Sequence, residues 1–112
     1  MPDDRRVSVR VELISLANVD HMAGKSGQVT FSTIGKTINI SQNGALIEVY
    51  KQVPLRGRLL LKMTLRENIL QMHAAVIWHK HEDGRFLLGL RFESMDAHSR
   101  SLLESFVNQQ SL

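Results

Sequence analysis

Leu70-Gln71-Met72-His73-Ala74-Ala75-Val76-Ile77-Trp78, then Glu82-Asp83-Gly84, then Phe86-Leu87-Leu88-Gly89-Leu90-Arg91-Phe92, is the stretch whose reading decides the fold. Leu70, Met72, Ala74, Val76 and Trp78 recur at every second position, and so do Phe86, Leu88, Leu90 and Phe92. A period of two means strands with one buried face. Asp-Gly between two such runs is a hairpin signal, because a tight turn there needs residues that tolerate positive φ. This reading places Trp78 on the apolar side, in the core, with a stacking role at the hairpin end as the second option.

The same period runs outward in both directions. Val7, Val9, Val11 and Leu13 alternate with Ser8, Arg10 and Glu12, which predicts a first strand with Arg10 facing away from the core. Asn18 to Gly27 reads as a turn region, Gln28 to Ile34 as a strand, and Gly35-Lys36 as a local turn or bulge. Thr37 to Ser41 alternates again, with Ile38 and Ile40 expected inside and Thr37, Asn39 and Ser41 outside. Gln42-Asn43-Gly44 is a turn in which Gly44 is free to take positive φ. Ala45 to Tyr50 is the return strand. Leu59, Leu61, Met63 and Leu65 line one face of the next, and Arg66 to Asn68 turn the chain into the long hairpin. After Ser94 the period becomes helical: Leu102, Leu103, Phe106 and Val107 predict a helix over about 96–108, capped by Asp96 or Ser94. The expected fold is mainly β, a small antiparallel barrel of about six strands with a C-terminal α-helix.

With 112 residues the chain is one domain by length, and a hydrophobic fraction of 43% is ample for a core. The formal charge of +3 favours anionic partners in a general way, but the basic residues are too scattered to argue for DNA. There is no cysteine, so a disulfide framework and a thiolate zinc site are both excluded. The charged start predicts no signal peptide, and the longest apolar runs are too short to span a bilayer. A cytoplasmic protein without membrane insertion is the expectation. His79 and His81 share a strand side but lack a third metal ligand, and Ser41 has no acid or base partner. Neither a metal nor a catalytic residue is expected, and no cofactor is implied.

Two polar clusters remain. Arg5-Arg6-Val7-Ser8-Val9-Arg10 is rich in guanidinium forks, which suit phosphates and the O6/N7 edge of guanine. Asn39-Ile40-Ser41-Gln42-Asn43-Gly44 offers an amide, a hydroxyl and a glycine that permits close approach. Together they describe a site for an anionic guanine nucleotide. A solvated basic terminus and an ordinary turn stabilised by Asn and Ser side chains are the plainer alternatives.

In this order, Arg6-x-x-x-Arg10 and Asn39-x-Ser41-x-x-Gly44 resemble the RxxxR and (D/N)xSxxG signature of the PilZ family. Leu88-Gly89-Leu90-Arg91-Phe92 is similar to that family's last strand, so the resemblance covers nearly the whole chain as a single domain, 1–112. It implies a bacterial receptor for cyclic di-GMP. Arg5, Arg6, Arg10, Asn39, Ser41 and Gly44 would bind the ligand, and Trp78 is a further possible contact. Asn39 stands where the family more often has Asp, and keeps an acceptor without the charge. Arg5, ahead of the two motif arginines, implies a stacked pair of ligand molecules. Residues 1–6 are expected to be flexible, and residues 1–10 to become ordered on binding, remodelling a surface read by a downstream protein. A PilZ-type interaction module with little ligand affinity is the alternative function. A small nucleic-acid-binding barrel ranks last, because only six aromatic residues are present.

Overall fold

The computed structural model describes residues 10–23 and 27–110. Six strands and one helix follow in chain order: β1 (Val11–Ala23), β2 (Gln28–Ile40), β3 (Gly44–Val49), β4 (Arg58–Leu65), β5 (Asn68–Glu82), β6 (Arg85–Met95) and α1 (Ala97–Gln110). All pairings are antiparallel, and the sheet closes as a barrel in the order β1-β2-β3-β6-β5-β4. The expected architecture is therefore present. Closure gives every strand two neighbours and leaves no edge to aggregate.

Ile40, Ile47, Leu59, Leu61, Met63, Leu70, Met72, Leu88 and Leu90 fill the barrel. They are the alternate residues that the period-two pattern marks as inward. Helix α1 contributes Leu103, Phe106 and Val107 to the same core and packs against β5. Its start is set by Asp96, whose carboxylate accepts a 2.7 Å hydrogen bond from the Ser99 amide. That bond, the largest cause, holds the Asp96 pKa below its ordinary value. Asp83 and Gly84 both have positive φ (52° and 76°), as the hairpin signal requires.

Four local expectations are corrected. Asn18 to Ala23 is not a turn but the second half of β1. It pairs with β2 on one side and β4 on the other, so its backbone groups are satisfied on both edges. The turn-forming side chains point outward instead, where Asp20 accepts hydrogen bonds from Asn18 and Ser32 at 3.0 and 2.6 Å. Likewise Gly35-Lys36 lies within continuous β2. Thr37 is fully buried and not outward, because the β2–β3 register slips between Thr37 and Asn39. One extra residue, Ile38, reverses the phase of alternation, so Thr37 and Ile40 both face in while Asn39 faces out.

The fourth correction concerns Trp78. The β5–β6 register slips between Val76 and Trp78, and Trp78 pairs with Gly89. Val76 and Leu90 point inward, so the bulge at Ile77 turns the indole to the outside, where it is 44% exposed. Its ring lies over Gly89: a Cβ at that glycine would stand 2.1 Å from the indole nitrogen.

Glu48, on the outward side of β3, is covered by its partners. Tyr50 donates to one carboxylate oxygen at 2.9 Å and Arg85 to the other. The Tyr50 hydrogen bond, followed by the Arg85 interaction, lowers the Glu48 pKa. A depressed folded-state pKa means that the unfolded chain takes up the proton first. The resulting stabilisation is present above the ordinary glutamate value of about 4.3 and is lost as pH falls through the folded value. Urea unfolding between pH 6 and 3 should thus show a shallower acid loss in Glu48→Gln than in the parent. Superimposable acid limbs would refute this role for the carboxylate.

Candidate functional site

The loop from Ser41 to Gly44 joins β2 to β3 and is held from several directions. The Ser41 amide donates to the Gly44 carbonyl at 2.8 Å. The Ser41 hydroxyl accepts from the Asn43 and Gly44 amides at 3.2 and 3.1 Å and approaches the Gly44 carbonyl at 3.3 Å. Ser41 is 1% exposed. Its hydroxyl therefore shapes the turn, the arrangement expected of Ser in a tight loop.

Gly44 is required for a reason other than the one expected. Its φ is not positive. What matters is space: a Cβ there would lie 2.1 Å from the Leu90 carbonyl oxygen on the adjacent β6. The Phe92 amide also reaches this loop, donating to the Asn43 carbonyl at 2.8 Å. The glycine thus lets the loop lie flat on β6.

Helix α1 supplies a further clamp that the sequence did not reveal. Arg100 donates from Nη1 to the Gln42 carbonyl at 2.8 Å, and Gln42 donates to Asn108 at 3.5 Å. These partners are 58 and 66 residues away in the chain. Only closure of the barrel with the helix against it brings them together.

Arg10 joins the two motifs. Its Nη1 donates to Asn39 Oδ1 at 3.0 Å across 29 residues of sequence. Arg10 is exposed and Asn39 half-buried, so one side chain anchors the other at the rim. Beside them is a depression of about 240 Å³ lined by Arg10, Ser41, Asn43, Gly44, Ile77, Leu90 and Arg91. Its walls are backbone and small groups, with two guanidinium side chains at the edge. Guanidinium forks suit anionic oxygens, and the exposed Ile77 side chain gives an apolar rest beside them.

Of the expected site residues, the structure brings Arg10, Asn39, Ser41 and Gly44 into one region. Arg5 and Arg6 lie outside the described residues. Trp78 follows Ile77 in sequence but does not line the depression. Arg91 and Ile77 were not singled out by their spacing; Arg91 is visible only as the partner of Gly44 across β3 and β6. Among the described residues no cluster of His, Asp or Glu is arranged to hold a metal ion. None of the described helices is long and apolar enough to cross a membrane.

Known structures share this architecture. The Bacillus subtilis inhibitor of motility, MotI/DgrA, superposes with a TM-score of 0.79 at 15% identity, over 97% of this chain and 52% of that one. The present chain thus spans about half the length of that protein's chain. The PilZ domain of YcgR from Escherichia coli, solved with cyclic di-GMP, gives 0.69 at 12% identity, covering 96% of this chain and 92% of that domain. The PilZ domain of CeSA from a cellulose-synthesizing bacterium gives 0.62 at 16% identity, over 94% and 100% of the two chains. At these identities the likeness establishes the fold alone. No curated protein sequence matches the chain. The family model for the PilZ domain, however, matches residues 4–109, a span that contains both arginine and Asn-x-Ser-x-x-Gly motifs, the whole barrel and nearly all of α1. With Arg10 bonded to Asn39 at the rim of a six-stranded barrel and the family model spanning nearly all of its length, the chain belongs to the PilZ family.

Proposed function

We propose that this protein is a receptor for cyclic di-GMP that passes the signal to a partner protein without chemistry of its own. The observation that carries the reading is the Arg10–Asn39 hydrogen bond, which brings Arg10 to the start of the Asn-x-Ser-x-x-Gly loop. Support comes from the adjoining depression, rimmed by Arg10 and Arg91. Further support comes from the YcgR PilZ domain and from Klebsiella pneumoniae MrkH, two proteins of this fold solved with cyclic di-GMP. Arg5, Arg6 and Arg10 hold phosphates and a guanine edge, and the Asn39–Gly44 loop meets the second guanine. Arg5 favours a stacked pair of ligand molecules, since an added guanidinium both stacks on a base and offsets phosphate charge. The protein acts in a bacterial cytoplasm.

Calorimetric titration tests this directly. Binding at micromolar dissociation constant or tighter, about −8 kcal/mol, is expected, with two ligands per protein if the pair forms. No heat at about 100 μM ligand would reject the receptor reading, since millimolar binding has no signalling use. Equal affinity for an adenine cyclic dinucleotide would reject the guanine assignment.

Signalling follows from ordering of the first ten residues on the barrel. Asp3, Asp4, Arg5 and Arg6 carry charge and no apolar side chain, so they have little to bury on their own. A dianionic ligand removes repulsion among the guanidinium groups and adds charge-assisted hydrogen bonds. These offset about 1–2 kcal/mol of backbone entropy per residue fixed. NMR order parameters at Arg5 and Arg6 should rise on binding. Values already at the level of the barrel strands in the free protein would place the switch elsewhere.

A further inference from the structure

We propose that the outer face of β4, β5 and β6 carries a second binding site, for the phosphate of a nucleotide, built from Arg56, Arg58 and Arg91. It borders the depression described above but does not depend on the function assigned to it.

The site arises from register. Gly44 pairs with Arg91, Arg91 with Ala75, and Ala75 with Arg58, so four neighbouring strands place these residues in one row. Their inward neighbours, Ala45, Leu90, Ala74, Val76 and Leu59, are all in the core, so the row belongs to the outer face. Long and small side chains alternate along it. Ala75 between two arginines leaves a trough, and the result is a groove of about 790 Å³ lined by Arg56, Arg58, Ala75, Val76, Ile77, Arg91 and Glu93. This is the size range of cofactor and nucleotide sites.

Its charge is not internally balanced. Three guanidinium groups face one carboxylate. Glu93 lies 3.6 Å from Arg58 Nε and 3.8 Å from Arg91 Nη2, beyond hydrogen-bonding length, with both arginines more than half exposed. Arg56 has no ion-pair or hydrogen-bond partner for its side chain among the described residues. Arg56 thus has a fork free to take phosphate oxygens, while Arg58 and Arg91 share the single carboxylate of Glu93, which leaves the groove with net positive charge.

The backbone at Arg56 is a separate observation. Its φ is 65°, in the left-handed region that glycine or asparagine fills more easily than arginine. The loop is nevertheless fixed: the Arg56 amide donates to Val76 at 2.7 Å, the Val76 amide to Gly57 at 3.0 Å, and the Gly57 amide to Pro54 at 2.9 Å. Gly57 is also crowded by the His21 ring, so the loop has little room to shift. A long cation is kept at a strained position and aimed over a groove with an apolar floor. The Gly57-to-Pro54 bond closes a β-turn with Arg56 at its positive-φ position, which fixes the direction in which the side chain leaves the backbone. The floor, Ala75 to Ile77, suits the flat face of a base, and the three forks suit its phosphate.

Arginine Nε–Hε NMR signals test the proposal, with GMP and cyclic di-GMP titrated separately into the parent, Arg10→Ala and an Arg56→Ala/Arg58→Ala double variant. Saturable shifts at Arg56 and Arg58 are expected below about 10 mM, with dissociation constants of a millimolar or tighter. The double variant should lose at least about tenfold in affinity at the remaining Arg91 signal. Shifts with GMP that persist in Arg10→Ala would identify an autonomous mononucleotide site. Shifts with cyclic di-GMP alone that vanish in Arg10→Ala would assign the groove to the stacked ligand pair of the first site and overturn an autonomous second site. Still signals at Arg56 and Arg58 with both ligands would overturn the proposal, whether or not the Arg10 pocket responds. So would a response confined to Arg91 and unchanged in the double variant, which belongs to the neighbouring depression.

Discussion

Replacing Gly44 with alanine should lower the melting temperature by roughly 10–20 °C, the largest stability effect expected of a methyl group added at any described glycine. The added Cβ would lie 2.1 Å from the Leu90 carbonyl oxygen and 3.2 Å from its carbon. The obstacle is backbone in the centre of β6, so no rotamer change relieves it. Either the Ser41–Gly44 loop lifts from the sheet or β6 bends. Lifting the loop breaks the Phe92-to-Asn43 hydrogen bond and strains the Ser41 hydroxyl's bonds to the Asn43 and Gly44 amides. Overpacking of this kind costs about 3 kcal/mol, with lost hydrogen bonds adding about 1 kcal/mol each. Circular dichroism melts measure it. A midpoint within about 2 °C of the parent would mean that the loop does not sit this close to β6. Conservation of ligand affinity is not expected either, because the moved residues line the depression.

Arg10→Ala should do the opposite: abolish most ligand affinity and leave the barrel intact. Arg10 is exposed, and its side chain is held by the amide oxygen of Asn39 at 3.0 Å. Removing it takes a fork from the rim of the site and leaves Asn39 in contact with water, which costs the fold little. Each fork engaged with a guanine edge or phosphate contributes about 1–3 kcal/mol, so the dissociation constant for cyclic di-GMP should rise at least about tenfold. Arg10→Lys separates charge from shape. It keeps the cation but loses the bidentate fork and its directed bond to Asn39, so it should recover less than half of the lost free energy. The loss should shrink with added salt where phosphate contact dominates, since exposed charge pairs are screened over about 10 Å at 0.1 M. Titrations of both variants at two salt concentrations decide the matter. Parent-like affinity in Arg10→Ala, with an unchanged far-ultraviolet spectrum, would remove Arg10 from the site.

The two substitutions mark different kinds of glycine and arginine use in one motif pair. Gly44 serves the fold so that a loop can lie on a strand. Arg10 is exposed and meets the barrel through a side-chain hydrogen bond to Asn39. Ser41 sides with Gly44, because its hydroxyl is consumed by the turn, whereas Asn39 sides with Arg10.

What the sequence determined by itself is what local rules carry. Period-two alternation in Leu59–Leu65, Leu70–Val76 and Phe86–Phe92 dictated strands and their buried faces, because pleating sends alternate side chains to opposite sides. Asp83-Gly84 dictated a hairpin, and Leu102 to Val107 dictated a helix with one apolar stripe. The two polar motifs were legible because their chemistry is unusual, whatever their neighbours. Tertiary structure alone decided where alternation breaks. The bulges at Ile38 and Ile77 reverse the phase, burying Thr37 and exposing Trp78, and a bulge exists only in relation to the partner strand. It also decided that Asn18 to Ala23 extends β1, since hydrogen bonds on two edges outweigh the turn preference of Asn and Asp. Arg100 on the motif loop, and the row of Gly44, Arg91, Ala75 and Arg58, were beyond reach of the sequence for the same reason. Such neighbours are fixed by strand register and barrel closure, which sum many weak long-range contacts that no short window of sequence contains.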